Sequence, residues 1–160
     1  MLANNGYTYK NVTLDNLYTA LRRAGQLNTQ IADITVGDIF EVDLNETTYP
    51  LMHIATESAV YDTGNLTYNF QIIVMDLVSK DESNEEQVLS DMLQVIGDVI
   101  SHVKNSDLIT TMTDYRNNVR IQDNVTCEPF TERFDNEVTG WTANIGIEVF
   151  FDSSACTGSV

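Results

Sequence analysis

Two long extended segments, joined by the sequence YDTGN, constrain the fold of this chain more than any other feature. The first segment covers residues 51–61 and the second covers residues 66–78. A glycine-containing turn of three to five residues between such segments is typical of a β-hairpin. Every position from Ile72 to Met75 is apolar, so we expect that end of the hairpin to be covered on both faces. The hairpin tip is then expected to project beyond the body of the domain.

Two amphipathic segments predict helices. The first follows Thr13, a plausible N-cap, and Gly25 is placed to end it. The second covers residues 84–104, and Ser83 with Glu86 forms a capping-box pattern at its start. Its apolar positions are Val88, Met92, Val95, Val99 and Val103, flanked by Leu89, Leu93, Ile96 and Ile100. Such a wide apolar arc is expected of a helix that lies across a sheet.

Further strands are predicted around these elements. Residues 37–44 alternate, residues 108–115 and 119–127 flank an RNN turn, and a last strand begins at Trp141. The sequence therefore predicts an α+β fold. It has a mostly antiparallel or mixed sheet with a long projecting hairpin, packed against a long helix and an N-terminal helix.

The chain of 160 residues is long enough for one domain and contains no linker-like stretch. We therefore predict a single domain over residues 1–160, with an N-terminal arm at 1–12 and a loose C-terminal tail at 152–160. The first twelve residues lack the apolar segment of a signal peptide, and no run is long enough to span a membrane. Cys127 and Cys156 are expected to be free thiols in a reducing compartment.

The charge balance is strongly acidic. Eight Lys and Arg residues face 24 Asp and Glu residues, giving a net charge of −16. This balance argues against tight binding of nucleic acid or of an anionic membrane surface. It is consistent with an acidic outer surface, or with a channel from which DNA is repelled.

No residue pattern predicts catalysis. His53 and His102 stand alone, and neither a nucleophile motif nor a phosphate-binding glycine motif is present. The acidic runs at 81–86 and 131–137 are typical of solvated loops and helix starts, with a divalent-ion site as the alternative. Trp141 is expected to anchor the start of its strand, although it has the chemistry to stack on a ligand. We therefore predict no enzyme activity, no cofactor and no metal.

The order of elements resembles a family of phage proteins. The stretches that carry the resemblance are ATESAVYDTGNLTYNFQIIVMDLV, SKDESNEEQVLSDMLQVI and PFTERFDNEVTGWTANIGIEVFF. With these stretches the chain is similar to the tail terminator, tail-completion and head–tail connector proteins of tailed bacteriophages. The similarity extends from Thr13 to Phe151.

The resemblance implies a structural virion protein, located in the neck or tail and assembled in the host bacterial cytoplasm. It implies a homo-oligomeric ring, six-fold or higher, which meets other neck, tail or portal proteins while DNA passes through its centre. No catalytic residues come with it, and no membrane is involved. The predicted contact surfaces are the hairpin tip, the acidic approach to the long helix and the 128–138 loop. Their residues are Tyr61, Asp62, Thr63, Gly64, Asn65, Asp81, Glu82, Glu85, Glu86, Thr131, Glu132, Arg133, Phe134 and Asp135.

Two other functions fit parts of the sequence. An acidic DNA-mimicking inhibitor would carry carboxylates spaced along one face like phosphates, whereas here the acids are scattered among helix starts and turns. A small ligand-binding domain would use the hairpin and Trp141 as the wall of a deep pocket.

Overall fold

The computed structural model describes residues 12–39, 47–105, 119–129 and 138–151, and it confirms the α+β class. Two helices pack against a six-stranded mixed sheet. In chain order the elements are α1 (Leu14–Gln26), β1 (Asp33–Val36), β2 (Leu51–Asp62), β3 (Asn65–Leu77), α2 (Glu85–Asn105), β4 (Arg120–Ile121), β5 (Thr126–Pro129) and β6 (Val138–Phe150).

The sheet is ordered β1-β2-β3-β6-β4, and β5 also pairs with β6. β1 is parallel to β2, and every other pairing is antiparallel. The central pair is β3 with β6, which stay in register from Asn65 opposite Phe150 to Leu77 opposite Val138. β4 and β5 therefore occupy the other edge of β6, and most of the sheet is built from three long strands.

The hairpin of β2 and β3 forms where it was predicted. Its turn is shorter than expected, because Asp62 pairs with Asn65 and leaves only two residues between the strands. Gly64 takes a φ of 76°, a region that glycine adopts without steric cost. As expected, Ile72 to Met75 are all buried. The tip does not extend alone, however, because β6 runs beside β3 as far as the turn.

The main core lies between one face of the sheet and the two helices. Alternate residues of β3 and β6 supply its sheet side: Leu66, Tyr68, Phe70, Ile72, Val74, Ala143, Ile145, Ile147 and Val149. A smaller apolar cluster lies on the opposite face, at the end of the sheet away from the hairpin turn. It consists of Leu51, Ile73, Met75 and Val138, with Ile39 and Tyr49 packed against it.

α1 begins as predicted and ends later than predicted. The Thr13 side chain accepts a hydrogen bond from the Asn16 N–H, and the Asn16 side chain accepts one from the Thr13 N–H. Gly25 does not end the helix, which continues to Gln26. Instead, Gly25 is buried, and a Cβ atom there would lie 2.6 Å from the Met52 sulfur. This glycine lets the helix approach β2 closely.

α2 forms as predicted, but its start differs from the predicted capping box. The Val88 N–H bonds to the Asn84 carbonyl, so the helix begins after Asn84 and not after Ser83. The Ser83 hydroxyl instead lies 3.2 Å from that of Ser79. The apolar arc is narrower than expected, since Leu93 is 43% exposed.

The C-terminal strands depart from the prediction in detail. The predicted strand 119–127 is two short strands, β4 and β5, and β6 begins at Val138 and not at Trp141. β1 was not predicted. Residues 37–39 of the predicted strand 37–44 are not in a strand. The rest of that segment lies outside the described residues, as do the predicted strand 108–115, the arm 1–11 and the tail 152–160.

Candidate interaction surface

The predicted contact residues lie at separate ends of the sheet. The hairpin tip, residues 61–65, begins β3, and the acidic approach to α2, residues 81–86, follows the end of β3. At about 3.3 Å per residue, the 13-residue β3 spans roughly 40 Å, so these two groups are far apart. The third group, residues 131–135, lies outside the described residues. The structure therefore does not bring the two described groups into one site.

The hairpin tip presents two large side chains to solvent. Val60 is 52% exposed and Tyr61 is 66% exposed, and consecutive strand residues point to opposite faces of the sheet. The ring of Tyr61 meets that of Phe151 edge-on, with centroids 5.1 Å apart. The Phe151 N–H also bonds to the Gly64 carbonyl at 3.0 Å. Phe151, just after β6, thus supports the tip, which exposes a large apolar or aromatic side chain on each face.

Among the described residues, the edge of β2 away from β3 has no strand partner next to this tip. β1 pairs with residues 51–54 only, and no described strand lies on that side of residues 55–62. An open strand edge can add a strand from another chain. The register shifts between Thr56 and Ser58, and Glu57 lies at this irregularity. The edge is therefore bulged and acidic near its middle and apolar near its tip.

The acidic approach to α2 has local structural roles. The Asp81 carboxylate accepts hydrogen bonds from the Ser83 N–H at 3.1 Å and from the Ser79 hydroxyl at 2.8 Å. The bond from the Ser83 N–H, followed by the serine hydroxyls, lowers the pKa of Asp81. Glu85 and Glu86 lie in the first turn of α2, where negative charge is stabilised by the helix dipole. This segment is a well-bonded helix start. Its acidic residues are explained by that role, and no partner protein is needed to explain them.

One carboxyl group with an altered pKa was not predicted. Burial raises the pKa of Asp76 at the end of β3, and the nearby charge of Asp91 raises it further, although the Leu77 N–H bonded to Asp76 opposes the shift. No sequence pattern links Asp76 with Asp91, because they come from different elements. A lone carboxyl with a raised pKa is not an active site without a nucleophile or a substrate pocket beside it.

A basic patch on α1 was also not predicted. Its outward-facing side carries Arg22 and Arg23, both exposed, and Leu27 just beyond the helix is 52% exposed. These arginines are the only two adjacent cations in the whole sequence. Within the described ranges neither guanidinium has an ion-pair partner. The two adjacent arginines were the sequence signal that could have predicted this patch. Their exposure, however, depends on which side of α1 packs on the sheet.

His53 and Trp141 make structural contacts between elements of the fold. His53 is fully buried, with Nδ1 2.7 Å from the Thr35 hydroxyl and Nε2 2.8 Å from the Gly37 carbonyl. Trp141 packs against the main core and donates its indole N–H to the Leu89 carbonyl at 2.8 Å. The expected role of Trp141 as a strand anchor agrees with this contact.

Metal ligands, membrane-spanning helices and pockets are the other features that could mark a site in the described residues. Among the described residues, no group of three His, Cys, Asp or Glu side chains is placed to share a metal ion. Neither described helix combines the length and apolarity needed to cross a membrane. An open depression, lined by residues 120–124, lies beside β4. The hairpin tip with the edge of β2 and the basic patch on α1 are therefore the surfaces that stand out.

Comparison with known proteins adds little to this description. No protein-family model and no curated protein matches the chain. One solved structure, of a protein whose name states no function, aligns with 88% of this chain and 97% of its own. The TM-score is 0.47 and the sequence identity is 14%, a likeness that carries no argument about function.

Proposed function

We propose that this chain is a structural subunit of a closed ring, located at the neck or the upper end of a phage tail, through which DNA passes. The observation that carries the proposal is the edge of β2 that no described strand covers, beside the exposed Val60 and Tyr61. A sheet that extends a rigid, partly apolar edge into solvent offers a surface for another protein chain. The resemblance of the element order to phage tail terminator and connector proteins supports the same function.

The charge supports this function and limits the partners. A ring requires a heterologous interface, in which one patch of a subunit meets a different patch of the next. A chain with a net charge of −16 can line a channel without holding the DNA phosphates that pass through it. The proposed partners are further copies of the chain and other neck, tail or portal proteins. The proposed location is the virion, after assembly in the host cytoplasm.

The first experiment measures the molar mass in solution by light scattering, over a range of protein concentrations, with and without duplex DNA. A discrete closed oligomer whose mass does not change with DNA is the expected result. A monomer that displaces DNA from a host nucleic-acid enzyme would replace the ring proposal with the DNA-mimicking inhibitor.

A second experiment removes the tip. Replacing residues 61–65 with a short glycine turn is expected to give a folded monomer, because the register of β2 with β3 below the tip does not depend on the exposed side chains. A matched control changes Glu85 and Glu86 to Gln at the other end of β3, and we expect that variant to assemble. Normal assembly by the tip variant would reject the tip as a contact surface.

A further inference from the structure

We propose that the hairpin tip of one copy docks on the basic patch of α1 of the next copy. The inference rests on the proposed ring function and names the two surfaces that would meet. The tip surface comprises Glu57, Val60, Tyr61 and Asp62. The basic patch comprises Arg22, Arg23 and Leu27.

The two surfaces have complementary chemistry. On the tip, Val60 and Tyr61 are exposed on opposite faces of the hairpin, the Asp62 carboxylate follows at the turn, and Glu57 lies at the irregularity of β2 five residues earlier. On the patch, Arg22 and Arg23 are exposed on α1, and the exposed Leu27 follows the helix four residues after Arg23, at the spacing of neighbouring side chains. Guanidinium groups pair with carboxylates and also stack on aromatic rings such as that of Tyr61. In a chain with three acids for every base, this pair of adjacent cations is a specific match for an acidic surface.

The large exposed side chains at the centres of the two surfaces, Tyr61 and Leu27, lie too far apart to meet within one molecule. α1 runs along β2, since the Tyr18 hydroxyl bonds to that of Thr56, and Gly25 lies against Met52. The basic patch is therefore near the start of β2. Tyr61 lies nine positions after Met52 in β2, which corresponds to about 30 Å along a strand. A contact between Tyr61 and Leu27 therefore requires a second molecule.

Different patches at opposite ends of a subunit produce head-to-tail association. Such contacts form a ring when the rotation between neighbours closes, and a filament when it does not. The docking of tip on patch therefore supplies the heterologous contact that a ring requires. A second copy of this chain is the occupant that the charges select.

Disulfide trapping tests this contact directly. Cys127 and Cys156 are first changed to Ser, and Leu27→Cys and Tyr61→Cys are then made in separate chains. With copper phenanthroline as oxidant, a mixture of the two chains is expected to form disulfide-linked dimers, whereas each chain alone is not. Leu93→Cys, at a position on α2 that is 43% exposed, serves as the control partner for Tyr61→Cys and is expected to give no dimers.

Three outcomes would overturn the inference: no dimers in the mixture, equal dimer formation by Tyr61→Cys alone, or equal trapping by Leu93→Cys. A closed oligomer seen by light scattering together with any of these would leave the ring proposal standing with a different interface. A monomer at every concentration would reject both.

Charge reversal provides an independent readout. Arg22→Glu with Arg23→Glu in one chain, or Glu57→Lys with Asp62→Lys in another, is expected to weaken self-association by about tenfold or more. In a mixture of the two chains, every tip meets a patch of opposite charge, and association is expected to return to the wild-type level. Failure of the mixture to associate would contradict the pairing of these surfaces.

Discussion

The buried His53 ring, in its neutral form, links the sheet to the loop after β1 through two hydrogen bonds. A carbonyl accepts and never donates, so Nε2 must carry the proton given to Gly37, and Nδ1 then accepts from the Thr35 hydroxyl. Burial lowers the pKa of His53 below its ordinary value of 6.5, against the opposing effects of the Gly37 carbonyl and the Asp38 charge. Between the folded pKa and pH 6.5, the ring is therefore mostly neutral in the folded chain and mostly protonated in the unfolded chain.

This difference predicts a stability that depends on pH. Above pH 6.5 the His53 contribution is fully present, and it decreases as the pH falls from 6.5 towards the folded pKa, because only the unfolded state takes up the proton. The slope of the unfolding free energy is expected to be at most about 1.4 kcal/mol per pH unit. Urea unfolding between pH 5.5 and pH 7.5 measures it. His53→Gln should remove the slope that His102→Gln retains, and an unchanged slope in His53→Gln would contradict the assignment.

Gly140 and Gly146 are both in β6, and they differ in what surrounds them. A Cβ atom at Gly140 would lie 1.9 Å from the Val74 carbonyl oxygen of β3. At Gly146 the nearest atoms belong to the side chain of Gln122, which can rotate away. At Gly140 the nearest atoms are backbone atoms of β3, which cannot move aside without disturbing the pairing of β3 with β6.

We therefore expect Gly140→Ala to lower the unfolding free energy by about 3 kcal/mol, and Gly146→Ala by less than about 1 kcal/mol. Urea unfolding followed by circular dichroism compares the two variants under one condition. Equal losses would show that the backbone approach at Gly140 is not the reason for this glycine.

At the scale of elements, local sequence patterns predict whether a segment forms a helix or a strand. The order of the strands in the sheet depends on pairing between distant segments. The hairpin was predictable because both its strands are long extended segments, the turn end of β3 alternates between polar and apolar residues, and a glycine marks the turn. β1 was missed because its four residues, Asp33–Val36, are too few for their polar–apolar alternation to stand out from the polar connection around them. The pairing of β3 with β6 joins segments more than 60 residues apart, so no local pattern could predict that β6 would accompany the hairpin to its tip.

The need for long-range packing also explains which candidate surface could be predicted from the sequence and which could not. The tip residues were predictable, because a turn between two strands is exposed in most folds. The basic patch was not, because the exposure of Arg22 and Arg23 depends on α1 burying Leu17 and Leu21 against the sheet. The helix start at Asn84 was missed because three polar residues in a row, from Glu82 to Asn84, offer several possible N-caps.

Trp141 ties β6 to α2 and belongs to this scale. Trp141→Phe removes the hydrogen bond to the Leu89 carbonyl and part of the packed area, so we expect the unfolding free energy to fall by about 1.5–3 kcal/mol. Leu93→Ala, on the exposed side of the same helix, should cost less than about 1 kcal/mol. Urea unfolding followed by circular dichroism measures both losses. A larger loss for Leu93→Ala would mean that this side of α2 is covered.

For the whole molecule, net charge and local charge pairs act on association in opposite directions. At about 0.01 M salt the Debye length is about 30 Å, so two copies that each carry −16 repel one another as whole molecules. At about 0.15 M it falls to about 8 Å, which screens this repulsion while charges in contact still attract. At about 1 M it is about 3 Å, and the proposed contacts between Arg22, Arg23 and the tip carboxylates would be screened as well.

We therefore expect self-association, measured by light scattering, to strengthen by about tenfold from about 0.01 M to about 0.15 M NaCl and to weaken again towards about 1 M. Arg22→Gln with Arg23→Gln should lose the decline at high salt, because no ion pairs remain to be screened. Ser90→Glu with Gln94→Glu, on the exposed side of α2, changes the net charge by the same two units and should keep that decline. A steady weakening from the lowest salt onwards would mean that contact pairs outweigh the repulsion between whole molecules.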